Sequence, residues 1–356
     1  MTRGRHRIRA RVLVATLALV VLGSASAHAA TSPFMGTALW ITQVPALATP
    51  QQLAAEAQQA GSRTLFVKAG DGSTTALQFS PTLVAGLRAS GESVCAWTFA
   101  YGVEPLAEAA VAVAAVHDGA QCLIVDAEDQ YDSRYGAAQT FVRTLRAQLG
   151  SRLPIGLAGQ PDVLEHPKFP YSVFLGPGGF DFDLPLMYWL ELGVSVQAAY
   201  AAAIPINAIY ARPILPVGQL YNNPTPGELA QFRGLAGAYD SPGVSFFDLD
   251  AAQPQGLLAL AAPPAPQRRR PIPLPTLRAG ADGDEIVWAQ ELLNAAGARL
   301  PVGGFFGAQT ARALAAFQTR HRLRPTGVLG PSTWRALLRF HAREPSWAAQ
   351  PPDSAR

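Results

Sequence analysis

The chain has 356 residues, of which 49% are hydrophobic and 15% are charged, and it contains 32 glycines, 30 prolines and 2 cysteines. A chain of this length predicts about two domains, since one domain usually takes ~100–200 residues. The apolar fraction excludes a wholly disordered protein, and two cysteines are too few for a miniature scaffold framed by disulfides.

The first 30 residues have the pattern of a secretory signal peptide. Residues 1–11 contain five arginines and no acid, residues 12–23 are apolar, and residues 24–30 end in an A-x-A-like sequence. The apolar run is shorter than the ~20 residues that span a bilayer, although an uncleaved membrane anchor is the alternative. We therefore expect residues 1–30 to be removed, leaving a secreted protein that does not contact the membrane.

The charge of the mature chain is unevenly distributed. Without the five leading arginines, 23 basic residues face 25 acidic ones, so the basic pI is not evidence for a nucleic-acid partner, and none is expected. Residues 31–262 carry 10 basic and 19 acidic residues, whereas residues 276–340 carry 8 basic and 4 acidic ones. Two bodies of opposite charge indicate two different roles.

Composition also indicates where the domains end. Residues 263–275 are rich in proline and arginine, which predicts an extended, semi-rigid linker between a large domain, residues 31–262, and a small one, residues 276–341. An ordinary long loop is the alternative. Residues 342–356 show no periodicity and are predicted to form a flexible tail.

Short β-branched or aromatic runs alternate with alanine-rich helical patterns through the large domain. The eight predicted strands are residues 37–43, 64–70, 93–99, 121–128, 154–159, 182–189, 211–218 and 243–249. Helical patterns between them include residues 51–60, 105–117, 137–149 and 227–239. This alternation predicts right-handed crossovers and a parallel sheet. Eight units predict an α/β fold, a TIM-like (β/α)8 barrel. A doubly wound sheet is the alternative, but no G-x-G-x-x-G follows the first strand.

Acidic and aromatic residues gather where the predicted strands end. In a barrel of this type these ends carry the functional groups. Aromatic rings stack on sugar rings, and charged or polar groups bind hydroxyls. The candidate substrate-binding residues are Lys68, Asp71, Trp97, Tyr101, Tyr188, Trp189 and Asp248.

The candidate catalytic residues are Asp126 and Glu128, in the sequence LIVDAED at the end of the fourth predicted strand. Side chains alternate along a strand, so the two carboxyl groups should share one face. Two adjacent carboxylates repel, which raises one pKa and lets that group act as an acid near neutral pH. Glycoside cleavage requires such a pair. A solvated strand-end pair or a helix cap is the alternative.

Other chemistries have less support in the sequence. The large domain has two histidines, His117 and His166, in no zinc-ligand spacing, and neither a G-x-S-x-G elbow nor a phosphate loop is present. We therefore expect no metal and no cofactor. Cys95 and Cys122 lie early in neighbouring predicted strands, where they are interpreted as small core residues, with a disulfide as the alternative.

The strands at residues 66–72, 89–99 and 123–129 resemble those of glycoside hydrolase family 25, the lysozyme-type muramidases. The resemblance implies that Glu128 is the general acid, with Asp126 as its partner, and it places the acid of the closing strand, residues 246–250, at Asp248. The first strand of that family normally carries an acid, whereas GTALWITQ has none. A related resemblance is to the glycoside-hydrolase-like secreted domain of actinobacterial proteins.

Residues 276–340 contain three helical patterns separated by glycine-rich turns, which predict a small all-α domain. The turns G-x-F-G at residues 304–307 and G-P-x-T-W at residues 330–334 resemble the peptidoglycan-binding domain that accompanies cell-wall hydrolases. The resemblance implies peptidoglycan as the partner. Arginines near residues 320–324 would suit an anionic wall polymer.

Together these patterns predict a secreted, wall-associated glycoside hydrolase of the retaining type, which cleaves the glycan strand and is targeted by its small domain. The alternative is a non-catalytic wall-binding protein with a degenerate barrel, which the missing first-strand acid favours. An amidase or peptidase is disfavoured by the absence of a metal-ligand pattern.

Overall fold

Eight parallel strands form the barrel of the computed structural model, which describes residue 1 and residues 32–347. They are β1 (Gly36–Ile41), β2 (Thr64–Asp71), β4 (Ser93–Ala100), β5 (Cys122–Ala127), β6 (Ile155–Gly159), β7 (Phe182–Pro185), β8 (Val217–Gln219) and β9 (Gly243–Phe247). A ninth, short strand, β3 (Thr74–Thr75), pairs antiparallel with β2. Residues 2–30 of the predicted signal peptide lie outside the described residues.

The strands are ordered β7-β6-β5-β4-β2-β1-β9-β8, and two isolated parallel bridges, Asp183 to Ile214 and Leu186 to Val217, connect the ends of this sheet. The predicted (β/α)8 architecture is therefore confirmed. Two strands are at most half as long as predicted because prolines interrupt their pairing: β7 ends at Pro185, and Pro213 and Pro216 precede β8.

The helices of the barrel are α1 (Pro50–Gln59), α2 (Pro81–Ala89), α3 (Pro105–His117), α4 (Tyr135–Leu149), α5 (Tyr171–Leu175), α6 (Val196–Asn207), α7 (Pro226–Ala238) and α8 (Pro254–Ala261). Several begin at side-chain caps. Thr49 and Thr225 form capping boxes with Gln52 and Glu228, each followed by a proline in the first turn. Local sequence therefore determines where these helices begin.

The barrel interior is filled by alternate strand residues, and the other strand residues pack against the helices. Trp40, Phe66 and Trp97 belong to the interior cluster. Cys95 and Cys122, paired in register on β4 and β5, are joined by a disulfide inside this cluster, with their Cα atoms 4.6 Å apart. The interpretation of the two cysteines as small, unlinked core residues is therefore wrong, and the alternative, a disulfide, is what the structure shows.

The small domain contains α9 (Asp284–Ala295), α10 (Ala308–Arg320) and α11 (Pro331–Leu337). Residues 32–347 belong to one compact unit, in which α9 packs directly on the barrel helix α5. The Trp288 indole, for example, donates a hydrogen bond to the carbonyl of Ile209 at 2.6 Å. The small domain is thus docked on the barrel.

The segment predicted as a linker lies along α7 without helix or strand structure. Ala265 donates its backbone N–H to Ala230, and Arg270 donates to Ala238. A Cβ at Gly234 would clash with the carbonyl oxygen of Ala265, so the close approach requires glycine there. The segment is held against the barrel surface by these contacts.

The tail predicted to be flexible from residue 342 makes defined contacts up to residue 347. Gln139 of α4 donates to the carbonyl of Pro345 at 2.9 Å and accepts the backbone N–H of Trp347 at 3.1 Å. The Trp347 ring packs 4.4 Å from that of Tyr135. The Gln139 side-chain amide has both a donor and an acceptor, which explains why this stretch is held on α4. Residues 348–356 lie outside the described residues.

Candidate active site

The paired acids lie at the C-terminal end of β5, in the mouth of the barrel. Asp126 is the penultimate residue of β5, and Glu128 follows the strand with φ −128° and ψ −151°, so its backbone remains extended. Alternation therefore continues through both residues, and their side chains share one face. This geometry agrees with the arrangement predicted from the D-x-E sequence.

Asp126 is 8% exposed, and its Oδ1 atom has no hydrogen-bond partner among the described residues. Burial raises the pKa of this carboxyl well above its usual range, and repulsion from Glu128 raises it further, while the positive charge of Lys68 acts in the opposite direction. Burial therefore favours the protonated, neutral form of this carboxyl group.

Glu128 is half-buried, and burial also raises its pKa, as does the negative charge of Asp129. His166 lowers the pKa, and so does Gln160, whose side-chain amide donates a hydrogen bond to Glu128 Oε2 at 2.9 Å. The glutamate is therefore more solvated and better hydrogen-bonded than Asp126, so the two neighbouring acids have distinct environments.

A network of three predicted binding residues lies on β2 and the end of β4. The Lys68 ammonium group contacts Asp71 Oδ2 at 2.7 Å, and the Tyr101 hydroxyl donates to Asp71 Oδ1, also at 2.7 Å. Burial opposes the ionisation of Asp71, but these two hydrogen bonds outweigh it and lower its pKa. Asp71 is therefore an ionised hydrogen-bond acceptor at the rim of the mouth.

The ends of β1 and β9 form another part of the mouth. Asp248 accepts a hydrogen bond from the Thr42 hydroxyl at 2.8 Å, and burial raises the pKa of Asp248 to about 6. Asp250 accepts the backbone N–H groups of Thr42 and Gln43 at 3.1 and 3.2 Å. Both carboxylates therefore hold the end of β1, the strand whose own sequence contains no acidic residue.

Tyr188 is the predicted aromatic residue that reaches the mouth from the β7 side. It is half-buried, and its ring lies 5.5 Å from that of Tyr221 and 5.9 Å from that of Phe247. Burial raises the pKa of its hydroxyl, and the neighbouring carboxyl groups of Asp126 and Glu128 raise it further. Tyr188 therefore presents an aromatic side chain beside the paired acids.

The two predicted tryptophan platforms are buried instead. Trp97 is 3% exposed, donates its indole N–H to the Ile41 carbonyl at 3.0 Å and lies beneath the Lys68 ammonium group, 5.0 Å from the ring centroid. Trp189 is fully buried, against Phe232 of α7. Because Trp97 faces the interior core and Trp189 faces the helix layer, neither offers a free ring face to a sugar.

Sequence reasoning missed three residues of the mouth: Gln160, Glu191 and Tyr221. Gln160 follows the last residue of β6, and Tyr221 lies two residues beyond β8, so the rule that selected the other strand ends also covers these positions. The Tyr221 hydroxyl donates a hydrogen bond to Glu191.

Within residues 32–347, no group of three or more His, Cys, Asp or Glu side chains could hold a metal ion. No described helix is long and apolar enough to cross a membrane.

Comparisons with known proteins identify the small domain. Residues 282–337 match the family described as "Putative peptidoglycan binding domain". The crystal structure of the Burkholderia AP3 phage endolysin shares 43% identity over 18% of this chain and 24% of that chain, with a TM-score of 0.18. A peptidoglycan-binding protein from Clostridioides difficile shares 33% identity over 18% of this chain and 40% of that chain, also with a TM-score of 0.18. This chain thus spans less than half of either protein.

The barrel is similar to the spore cortex-lytic enzyme SleL of Bacillus megaterium, with 11% identity over 66% of this chain and 75% of that chain and a TM-score of 0.50. At this identity the similarity shows the fold alone. A comparison with curated protein sequences finds no match. The chain therefore combines a TIM-like barrel with a C-terminal domain that matches the peptidoglycan-binding family model.

Proposed function

We propose that the protein is a secreted glycoside hydrolase that cleaves the glycan strand of peptidoglycan, to which its C-terminal domain directs it. The observation that carries the proposal is the pair Asp126 and Glu128, one deeply buried and one half-buried, at the C-terminal end of a barrel strand. Two carboxyl groups in different environments are what acid catalysis of glycoside cleavage uses.

In this proposal Glu128 protonates the leaving glycosidic oxygen. Burial raises its pKa, which favours the protonated form that a general acid requires, while Gln160 holds the carboxyl group in position. The neutral form of Asp126 can both donate and accept a hydrogen bond, and its unpartnered Oδ1 is suited to orienting the acetamido group of the substrate. This supports an orienting role for Asp126 over stabilisation of positive charge.

The surrounding residues would bind the sugar. Tyr101 and Tyr188 supply aromatic surface, and Lys68, Asp71 and Asp248 supply hydrogen-bonding groups for hydroxyls. The finer assignment, a muramidase of the family 25 type, rests on Asp126, Glu128 and the D-x-E strand that carries them. The buried disulfide between Cys95 and Cys122 is compatible with an oxidising, extracellular compartment, which supports secretion.

A second function, glycan binding without cleavage, is favoured by a different observation. Asp248 and Asp250 both accept hydrogen bonds from the end of β1, and that end contributes no carboxylate of its own. A barrel in which these acids have a structural role could hold a glycan without cutting it.

Digestion of purified peptidoglycan, followed by mass analysis of the soluble products, separates the two functions. The hydrolase proposal predicts glycan fragments with new reducing ends and intact stem peptides. Binding without soluble products, across a broad pH range and several wall chemotypes, supports the second function. Released peptides without new reducing ends would contradict both.

A further inference from the structure

In the small domain the basic side chains are exposed, whereas most of the acidic side chains are buried. All eight arginines of residues 276–340 are exposed: Arg278, Arg299, Arg312, Arg320, Arg322, Arg324, Arg335 and Arg339. Of its four acids, Asp284, Glu285 and Glu291 are at most 2% exposed, and Asp282 alone is exposed. The exposed surface of this domain is therefore much more positive than its composition indicates.

The buried acids lie on α9, the helix that packs on the barrel. Asp284 is hydrogen-bonded to Ser172 and Tyr210 of the barrel. Burial raises the pKa of Glu285 to about 7 and that of Glu291 to about 9, so near neutral pH Glu285 is only partly ionised and Glu291 is largely neutral. The eight exposed arginines thus outnumber the ionised acids of their own domain, and none of them forms an ion pair within residues 32–347.

A groove of about 640 Å³ lies between α10 and residues 297–300, away from the barrel. Ala313 and Ala316 form part of its apolar lining, and Arg299, Arg312 and Arg320 line it as well. Within residues 32–347, none of these three arginines takes part in an ion pair. The groove is shallow and largely open to solvent.

The wall of the groove is preorganised. The Asn294 side chain binds both backbone groups of Leu300, donating to its carbonyl at 2.9 Å and accepting its N–H at 2.7 Å. On the opposite side, α10 is anchored by Leu314 and Phe317, which are buried against the rest of the domain. A rigid groove loses less conformational entropy on binding than a mobile one.

We propose that this groove binds a carboxylate of the peptidoglycan stem peptide through Arg299, Arg312 and Arg320. Guanidinium groups match carboxylates with paired hydrogen bonds, and the alanine lining leaves room for the methyl groups of an alanine-containing peptide. The glycan strand offers chiefly hydroxyl and acetamido groups, which do not require three arginines that form no ion pair within residues 32–347. The proposal rests on the targeting role of the domain and identifies the part of the wall that it recognises.

The test compares the purified full-length protein with the triple variant Arg299→Gln, Arg312→Gln and Arg320→Gln. The matched control is Arg335→Gln with Arg339→Gln, which removes exposed arginines of the same domain outside the groove. The probes are peptidoglycan stripped of phosphate-containing polymers, unstripped walls, a synthetic alanine-containing stem peptide, and the same peptide with its carboxylates amidated. Thermal unfolding verifies that all variants are folded.

We expect the triple variant to bind stripped peptidoglycan and the free peptide at least about tenfold more weakly, because charge-assisted hydrogen bonds are lost. The control should bind like the wild type, and amidation of the peptide should abolish binding. Equal losses in the control, unchanged binding of the amidated peptide, or binding restricted to unstripped walls would each overturn the groove assignment. Wild-type protein that binds no wall preparation would overturn the targeting role itself, which distinguishes the two failures.

Discussion

The Asp284 carboxylate in the first turn of α9 accepts two hydrogen bonds from Ser172 of the barrel, one from its backbone N–H at 2.8 Å and one from its hydroxyl at 2.7 Å. Asp284 is fully buried, so this contact replaces water around a carboxylate with donors from the other domain. An acid near a helix start is, in sequence, the usual sign of a helix cap. Here it holds the small domain to the barrel.

We therefore predict that Asp284→Ala weakens the docking of the small domain. The change leaves the Ser172 donors and the Tyr210 hydroxyl without their acceptor, a loss of about 2–5 kcal/mol for a buried network. Urea unfolding should give a lower free energy of unfolding, and limited proteolysis should cut residues 263–275 faster than in the wild type. Asp282→Ala, at an exposed neighbour, is the control and should leave both measurements unchanged.

Stability should fall as the pH rises. Burial raises the pKa of Asp284 to about 6, that of Glu285 to about 7 and that of Glu291 to about 9, all above their values in the unfolded chain. The folded state therefore binds more protons, and this contribution is complete below about pH 4 and is lost as the pH passes through these values. Unfolding followed between pH 4 and pH 10 should show the decline. Glu291→Gln should flatten the alkaline part of the curve, and an unchanged slope would contradict the assignment.

The two positions predicted as sugar platforms should behave differently from Tyr188. Trp189→Ala removes a fully buried side chain packed on Phe232, so we expect a loss of about 3–5 kcal/mol in unfolding free energy. Tyr188→Ala, at the mouth, should mainly weaken glycan binding. Chemical denaturation and binding to soluble peptidoglycan fragments separate the two effects. A Trp189 variant of normal stability that fails to bind glycan would restore the sequence-based role.

Gln160 should tune the proton affinity of Glu128. Its amide donates to the carboxylate and lowers the pKa of Glu128, so Gln160→Met should raise that pKa. Because a general acid works only while protonated, the alkaline limb of the pH–rate profile should move to higher pH. The measurement is the rate of reducing-end release over pH 5–9. A shift to lower pH, or a limb that does not move, would exclude this role for the hydrogen bond.

The strand pattern allowed much of the barrel to be predicted, and long-range packing accounts for the rest. β5 was recognisable because its apolar run ends in the acids, and α3 because its proline start and helical pattern are local signals. Whether the side chains of Trp97 and Trp189 are buried depends on which layer of the barrel each strand face packs against. A rule that selects residues at strand ends does not specify this. Likewise, the docking of α9 depends on Ser172 and Tyr210, more than 70 residues away in the chain.

The central claim is that Glu128 donates the proton that breaks the glycosidic bond. Its most direct test is reducing-end release from purified peptidoglycan by the wild type and by Glu128→Gln at matched folded concentration. The substitution preserves size and hydrogen bonding but removes proton donation, so the rate should fall by about 10²–10⁴-fold while wall binding is unchanged. Equal release by both proteins would contradict the role of Glu128, and release by neither would contradict hydrolysis.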